Sequence, residues 1–397
     1  MPSSPIRRLV DFAVAAQARG VGVHYLNIGQ PDVHSPEPFW RAVANPGVKT
    51  LEYIHSLGTP ELRDALAADY RKKGIPVDPT DIMVTTGGSE AVLLLFLSCF
   101  DPGDEVVVVE PFYANYAGFA TAAGVVLKAL TTRIEDDFAL PAPEAFEAAL
   151  GPRTRGILLC NPSNPTGTVY SPESLRRIAE MAKSRDLFLI VDEVYRDFYY
   201  GTESLLSVLQ IEGLEENAIM VDSASKKFSL CGARVGYLVT KNRAVLGGAL
   251  KYGQARLAAP TLDQMGVAAC LREVGPDYFS AVREEYKDRR DALVEGLERI
   301  PGVVVPKIEG AFYAVVRLPV DDADAFCEWL VSDFSLDGET VLLAPASGFY
   351  LTKGEGKDEV RIAYVLEESK LRRAVEILAA GLEAYRSLGG LPKDLEN

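Results

Sequence analysis

Residues 218–240 read AIMVDSASKKFSLCGARVGYLVT, and the stretch divides into three parts. An apolar run of strand length, AIMVDS (218–223), leads into a polar turn carrying Lys226 and Lys227, and a second run, VGYLVT (235–240), leads away. Near-continuous Val, Ile and Leu is what a strand buried on both faces requires, as in a largely parallel sheet covered by helices. The turn sets two hydroxyls, Ser223 and Ser225, ahead of Lys226, and Arg234 follows eight positions later between Gly232 and Gly236. Hydroxyls and a guanidinium hold a phosphate; a lysine amine condenses with an aldehyde.

Working outward, runs of the same kind recur at DEVVVVE (104–110), GILLC (156–160) and LFLIVDE (187–193). Helical patterns lie between them, such as 173–185, which Ser171 opens as N-cap and Pro172 as first-turn residue. This alternation predicts a doubly wound α/β unit over 41–275, a mostly parallel sheet flanked by helices. After residue 276 the pattern changes. A long charged amphipathic helix (278–300) precedes two strand-like pieces, GAFYAVVRL (310–318) and EVRIAYV (359–365). A polar Gly-rich loop covers 347–359, and 389–397 reads as a frayed tail. Residues 276–397 together with 1–40 are therefore expected to form a smaller α+β domain.

The chain is long for one hydrophobic core, so two domains are expected from its 397 residues alone. A net charge of −15 argues against nucleic acid or an anionic membrane as partner, since both select basic patches. It leaves room for a small anionic substrate, which two or three local arginines can hold. The five cysteines are scattered, with no CxxC, as in a reduced cytoplasmic protein. His24, His34 and His55 lack metal-ligand spacing, so no zinc site is expected. The N-terminus superficially reads as a signal peptide, but Asp11, Gln17 and Arg19 break the apolar stretch with helical period. AVLLLFLSCF (91–100) is too short to span a bilayer and suits a buried helix.

Four further segments sit where strands end. NPSNPTG (161–167) follows GILLC directly and makes a Pro- and Gly-rich turn at a strand's C-terminal edge, where ligands bind in open α/β sheets. IVDEVYRDF (190–198) puts Asp192 where apolar character stops. VTTGGSEAVLLLFL (84–97) joins a short strand to a helix whose N-terminal N–H groups form an anion site. EPFYANY (110–116) brings aromatics to the end of another strand. Taken singly, each has an ordinary reading as a turn, an N-cap or a core aromatic.

Together these motifs resemble class I/II pyridoxal-phosphate aminotransferases of fold type I, aspartate aminotransferase-like, from about residue 26 to residue 365. The resemblance implies that Lys226, rather than Lys227, carries pyridoxal 5′-phosphate as a Schiff base. It implies that Asp192 pairs with the pyridinium nitrogen and that Asn164 and Tyr195 meet the phenolic oxygen. Tyr113 would stack on the ring, while Gly88, Ser89, Ser223, Ser225 and Arg234 would hold the phosphate. LNIGQPD (26–32) supplies Gly29 for close approach of the substrate, and Arg361 in EVRIAY matches the arginine that grips the α-carboxylate. EYIHSLGTPELRDAL (52–66) places Tyr53 where family members reach the other subunit's phosphate, which implies a homodimer with shared active sites.

The chain departs from the pattern in two places. It has APASGFY (344–350) where members often show PGxxFG, and Ser89 where some aspartate enzymes carry a lysine that reads the distal carboxylate. Arg256 is the expected substitute, donated across the dimer. The implied reaction moves an amino group between an L-amino acid, aspartate or glutamate favoured, and a 2-oxo acid such as 2-oxoglutarate. Alanine, aromatic and kynurenine aminotransferases share the same motifs, and a C–S β-lyase shares the pocket. A cofactor-sensing regulator fused to a DNA-binding module is disfavoured by the early start of the fold and by the charge.

Overall fold

The computed structural model describes residues 7–389. The expected frayed tail therefore falls outside the described residues from 390 onward.

Seven strands form the main sheet, in the order Ile82–Thr86, Val235–Val239, Ala218–Ser223, Phe188–Asp192, Thr154–Cys160, Glu105–Glu110, Val126–Thr131. Val235–Val239 runs antiparallel to both neighbours, and every other pairing is parallel. Side chains alternate across this sheet as the two-residue period demands. Val107, Val109, Ile157, Leu159, Leu189 and Val191 enter the core on one face; Val106, Val108, Leu158 and Ile190 enter the core on the other. Burial on both sides explains the unbroken apolar runs. The edge strand Val126–Thr131 has no such run, because it is only half-buried and carries Lys128 at its centre, as edge strands tend to.

The helix Pro172–Ser184 begins where expected, with the Ser171 side chain accepting from the Ser174 amide. Residues 91–99 of that run lie in the helix Gly87–Cys99, which Phe100 ends, and the helix packs beneath the sheet. No helix among the described residues is long and apolar enough to cross a membrane.

A second core gathers Leu9 and Ala13 from the N-terminal segment with side chains of Pro276–Leu297, Tyr313–Arg317, Ala323–Ser332, Glu359–Ala363 and Glu368–Ser387. There Glu359–Ala363 pairs antiparallel with Tyr313–Arg317. A short parallel pair, Gly22–Tyr25 with Glu339–Leu342, ties the beginning of the chain to its end. Helix Glu37–Ala44 crosses the expected 40/41 boundary. Its Phe39 belongs to the core of the large sheet, against Gly266 of the helix Thr261–Glu273, where any side chain would collide with the ring.

Register then fixes the site. Thr86 lies opposite Val235, Ser223 opposite Gly236, and Cys160 opposite Asp192, so these strand ends share one edge. The loops leaving that edge face the second core across a cavity.

Candidate functional site

The cavity measures about 620 Å³. All but two of the residues singled out from sequence line it, and they divide into three chemical districts.

At one end is a cradle of donors. Ser223 ends its strand and caps the short helix Ala224–Lys227, its Oγ accepting from the Ser225 amide at 3.0 Å, donating to Val235 O at 3.0 Å and meeting Ser225 Oγ at 2.8 Å. Gly88 and Ser89 open the helix Gly87–Cys99, where unpaired N–H groups favour an anion. Arg234 completes the cradle in a left-handed conformation (φ 54°), with Nη1 donating to Cys231 O. Two glycines make room for this. A Cβ on Gly87 (φ +75°) would sit 2.3 Å from Arg234 Nη2, and one on Gly236 would sit 2.2 Å from the Gly87 carbonyl carbon.

At the other end Asp192 closes its strand with only 8% of its surface exposed. Tyr116 donates to its Oδ2 at 2.7 Å and the Val194 amide to its Oδ1 at 3.2 Å. Burial pushes this carboxyl up to about 6, the two hydrogen bonds opposing the shift. It is the single carboxylate among the described residues lining the cavity. A protonated ring nitrogen beside it would relieve the buried charge. Donors for a dianion at one end and a lone acid for an N–H at the other fit a phosphorylated pyridine.

Between the ends lies a polar chain. Tyr195, buried, meets Asn164 Nδ2 at 3.3 Å and the Tyr313 hydroxyl at 3.2 Å. Burial holds the Tyr195 phenol well above its ordinary range. Asn164 Oδ1 accepts from Arg361 Nη1 at 3.0 Å, and Arg361 Nη2 donates to Asn27 O at 2.6 Å. Arg361 is 1% exposed, with its guanidinium over the rings of Tyr313 (4.5 Å) and Phe349 (4.8 Å). Its buried Nε has no acceptor among the described residues. Burial lowers its pKa, opposed by the nearby phenols. A buried guanidinium stacked between aromatics, with no carboxylate beside it among the described residues, is suited chemically to a carboxylate.

Lys226 reaches into the middle, where Nζ donates to Gly29 O at 2.7 Å and meets Cys231 Sγ at 3.6 Å. A Cβ on Gly29 would lie 1.8 Å from the Tyr313 hydroxyl, so a side chain there would displace that ring. The adjacent Lys227 points the other way. Its ammonium is buried against Asp69 at 2.6 Å and Asp197 at 3.8 Å, and Asp197 also binds Lys73 at 2.7 Å. The two carboxylates outweigh burial and raise the Lys227 pKa.

Tyr53 and Arg256 do not line this cavity. Tyr53 projects from the surface, 86% exposed. Arg256, expected at a distal carboxylate, is engaged within its own chain, Nε binding Glu90 at 3.0 Å and Nη2 the Val84 carbonyl at 3.3 Å. Tyr113 lines the wall, its hydroxyl accepting from Asn115 Nδ2 at 2.7 Å.

Sequence reasoning missed Tyr116, Tyr313, Cys231 and Arg7. Tyr116 lies one helical turn beyond Tyr113 in EPFYANY, and that spacing was the available signal for the partner of Asp192. Tyr313 sits inside a strand pattern that gives no sign of a role in the site.

The family described as aminotransferase class I and II matches residues 22–378. A probable aspartate/prephenate aminotransferase of Thermus aquaticus is 33% identical, over 94% of this chain and 94% of that one. A valine–pyruvate aminotransferase of Mycobacterium tuberculosis is also 33% identical, over 90% of each chain. The solved aspartate aminotransferase of Thermus thermophilus with maleate superposes with a TM-score of 0.87 at 30% identity, covering 96% of this chain and 97% of that one.

Proposed function

The chain belongs to the class I and II aminotransferases, and from that premise we propose that it uses pyridoxal 5′-phosphate to move the amino group of aspartate or glutamate to a 2-oxo acid such as 2-oxoglutarate. The observation that carries this reading is the placement of Lys226, Asp192 and Arg361 on one cavity, each with a different task.

Ser223, Ser225, Arg234 and the amides of Gly88 and Ser89 would hold the phosphate. Asp192 would pair with the ring nitrogen, Asn164 and Tyr195 with the phenolic oxygen, and Tyr113 would cover the ring. When bound, the cofactor supplies an electron sink for the carbon that loses a proton. Lys226 would anchor it through the amine, then take the substrate's Cα proton as general base and deliver it as general acid to the cofactor's C4′ rather than back to Cα. Arg361 fixes the α-carboxylate bidentately and so sets which substituent faces Lys226. Tyr195, held by Asn164, keeps a proton available at the phenolic oxygen.

We read residues 37–275, including the helix Glu37–Ala44, as the cofactor-binding domain, and residues 7–36 with 276–389 as the smaller domain that carries Arg361. The exposed Tyr53 supports a homodimer in which it serves the partner's phosphate. Five free cysteines support a cytoplasmic setting.

The test is a half-reaction. Amino acid added alone to the cofactor-loaded protein should yield pyridoxamine phosphate and one equivalent of oxo acid, fastest with aspartate or glutamate among a panel including alanine, aromatic amino acids and kynurenine. Pyruvate and ammonia with the cofactor unchanged would identify a C–S β-lyase instead.

A further inference from the structure

Four cations line the cavity against one carboxylate: Arg7, Lys226, Arg234 and Arg361 face Asp192. In a transaminase three of them have tasks. Arg234 serves the phosphate, Lys226 the cofactor and proton transfer, and Arg361 the α-carboxylate. Arg7 is left over, and no hydrogen bond or ion pair among the described residues engages its guanidinium.

Its position is imposed by its neighbours. Leu9, two residues on, is buried in the second core. Arg8 pairs with Asp324 at 2.5 Å, and Asp324 is itself bound by Ser347 Oγ at 2.6 Å. The Arg7 carbonyl accepts from the Val10 amide at 3.1 Å, the turn that starts the helix Val10–Ala18. The backbone is thus pinned on the far side, and Arg7 is the side chain turned to the cavity. The wall it shares includes Ile28 and Gln30, which flank the Gly29 carbonyl bound by Lys226.

Within its own chain Arg256 is held by Glu90 and stands outside the cavity, and Ser89 has no charge. Arg7 is exposed and without an ion-pair partner among the described residues, so in a protein of net charge −15 its guanidinium at the cavity is free to meet an anionic ligand. We infer that Arg7 reads the side-chain carboxylate of an acidic amino acid, so that the N-terminal segment of the same chain selects dicarboxylic substrates. The inference rests on the transaminase reading of this cavity. It makes Arg7 a specificity residue, placing one carboxylate on Arg361 and the other on Arg7.

The experiment uses the cofactor-loaded protein and the variants Arg7→Ala, Arg7→Gln and Arg7→Lys, with the cofactor's absorbance in each reporting an intact site. Calorimetric titration compares succinate with butyrate, which has the same chain length and one carboxylate fewer. Arg7→Ala and Arg7→Gln should reduce the preference for succinate by about 100-fold, the order expected for a charge-assisted pair. Arg7→Lys should recover part of it. The ratio of kcat/KM for aspartate to that for alanine should fall by a similar factor. A succinate preference unmoved in Arg7→Ala, or wild-type protein that binds succinate no better than butyrate, overturns the assignment. Wild-type protein that forms no pyridoxamine phosphate with any amino acid fails the transaminase reading instead, and the succinate titration separates the two failures.

Discussion

Arg361 and Asn164, 197 positions apart in sequence, share a hydrogen bond of 3.0 Å from Nη1 to Oδ1. Because the Asn164 amide nitrogen meets Tyr195 at 3.3 Å, the carboxylate grip and the phenolic end of the site are one connected unit. Asn164→Ala should therefore raise KM for the amino acid as well as weaken the cofactor. In a double-mutant cycle with Arg361→Lys, kcat/KM values should be non-additive by about 1 kcal/mol. Strict additivity would mean that the bond carries no function.

Lys226→Ala should lower turnover by about 10²- to 10⁴-fold, the usual contribution of a general acid–base group. It should also abolish the absorbance band of the lysine-linked cofactor and leave the cofactor removable by dialysis. A band that persists would place the attachment at another amine.

Asp192 gives a pH dependence with a defined sign. Its carboxyl is pushed up to about 6 in the folded, cofactor-free protein, against about 4 in an unfolded chain. Between those values the folded state binds more protons than the unfolded state, so stability falls as pH rises through the window and levels off above it. Asp192→Asn should stabilise the cofactor-free protein near neutral pH, by at most about 3 kcal/mol, and by much less near pH 4. Thermal melts at the two pH values measure this. The same variant should bind the cofactor more weakly, since the neutral amide cannot hold a ring-nitrogen proton.

Gly236→Ala should destabilise the protein by about 1–3 kcal/mol and impair cofactor retention, because the new methyl would collide with the Gly87–Gly88 backbone beneath the phosphate cradle. Gly247→Ala is the control. It lies in the helix Arg243–Arg256 with nothing within 4 Å of an added Cβ, and should stabilise by up to about 1 kcal/mol. Thermal denaturation distinguishes the two.

The large sheet and most of its ligand edge are legible in the sequence because the information is local. A buried strand announces itself by an unbroken apolar run, and Asp192, Asn164 and Ser223 stand where such runs stop. What is not legible is what depends on distant segments meeting. Tyr313 reaches Tyr195 across 118 positions, and Arg7 comes to the cavity from the turn before the helix Val10–Ala18, where the sequence pattern gives no sign of it. The half-buried edge strand Val126–Thr131 has no pattern strong enough to read. Arg256 is the reverse case: a plausible charge in sequence that its own neighbour Glu90 engages.

The buried ion cluster around Lys227 has a consequence for selectivity. An ammonium clasped between Asp69 and Asp197 has no lone pair to offer a carbonyl carbon. Among the described residues Lys226 has a neutral carbonyl and a thiol as its hydrogen-bond partners. Of two identical amines on successive residues, the fold leaves one facing the cavity and turns the other into a fixed counter-charge. An aldehyde entering the cavity thus meets a choice already made by the carboxylates behind it.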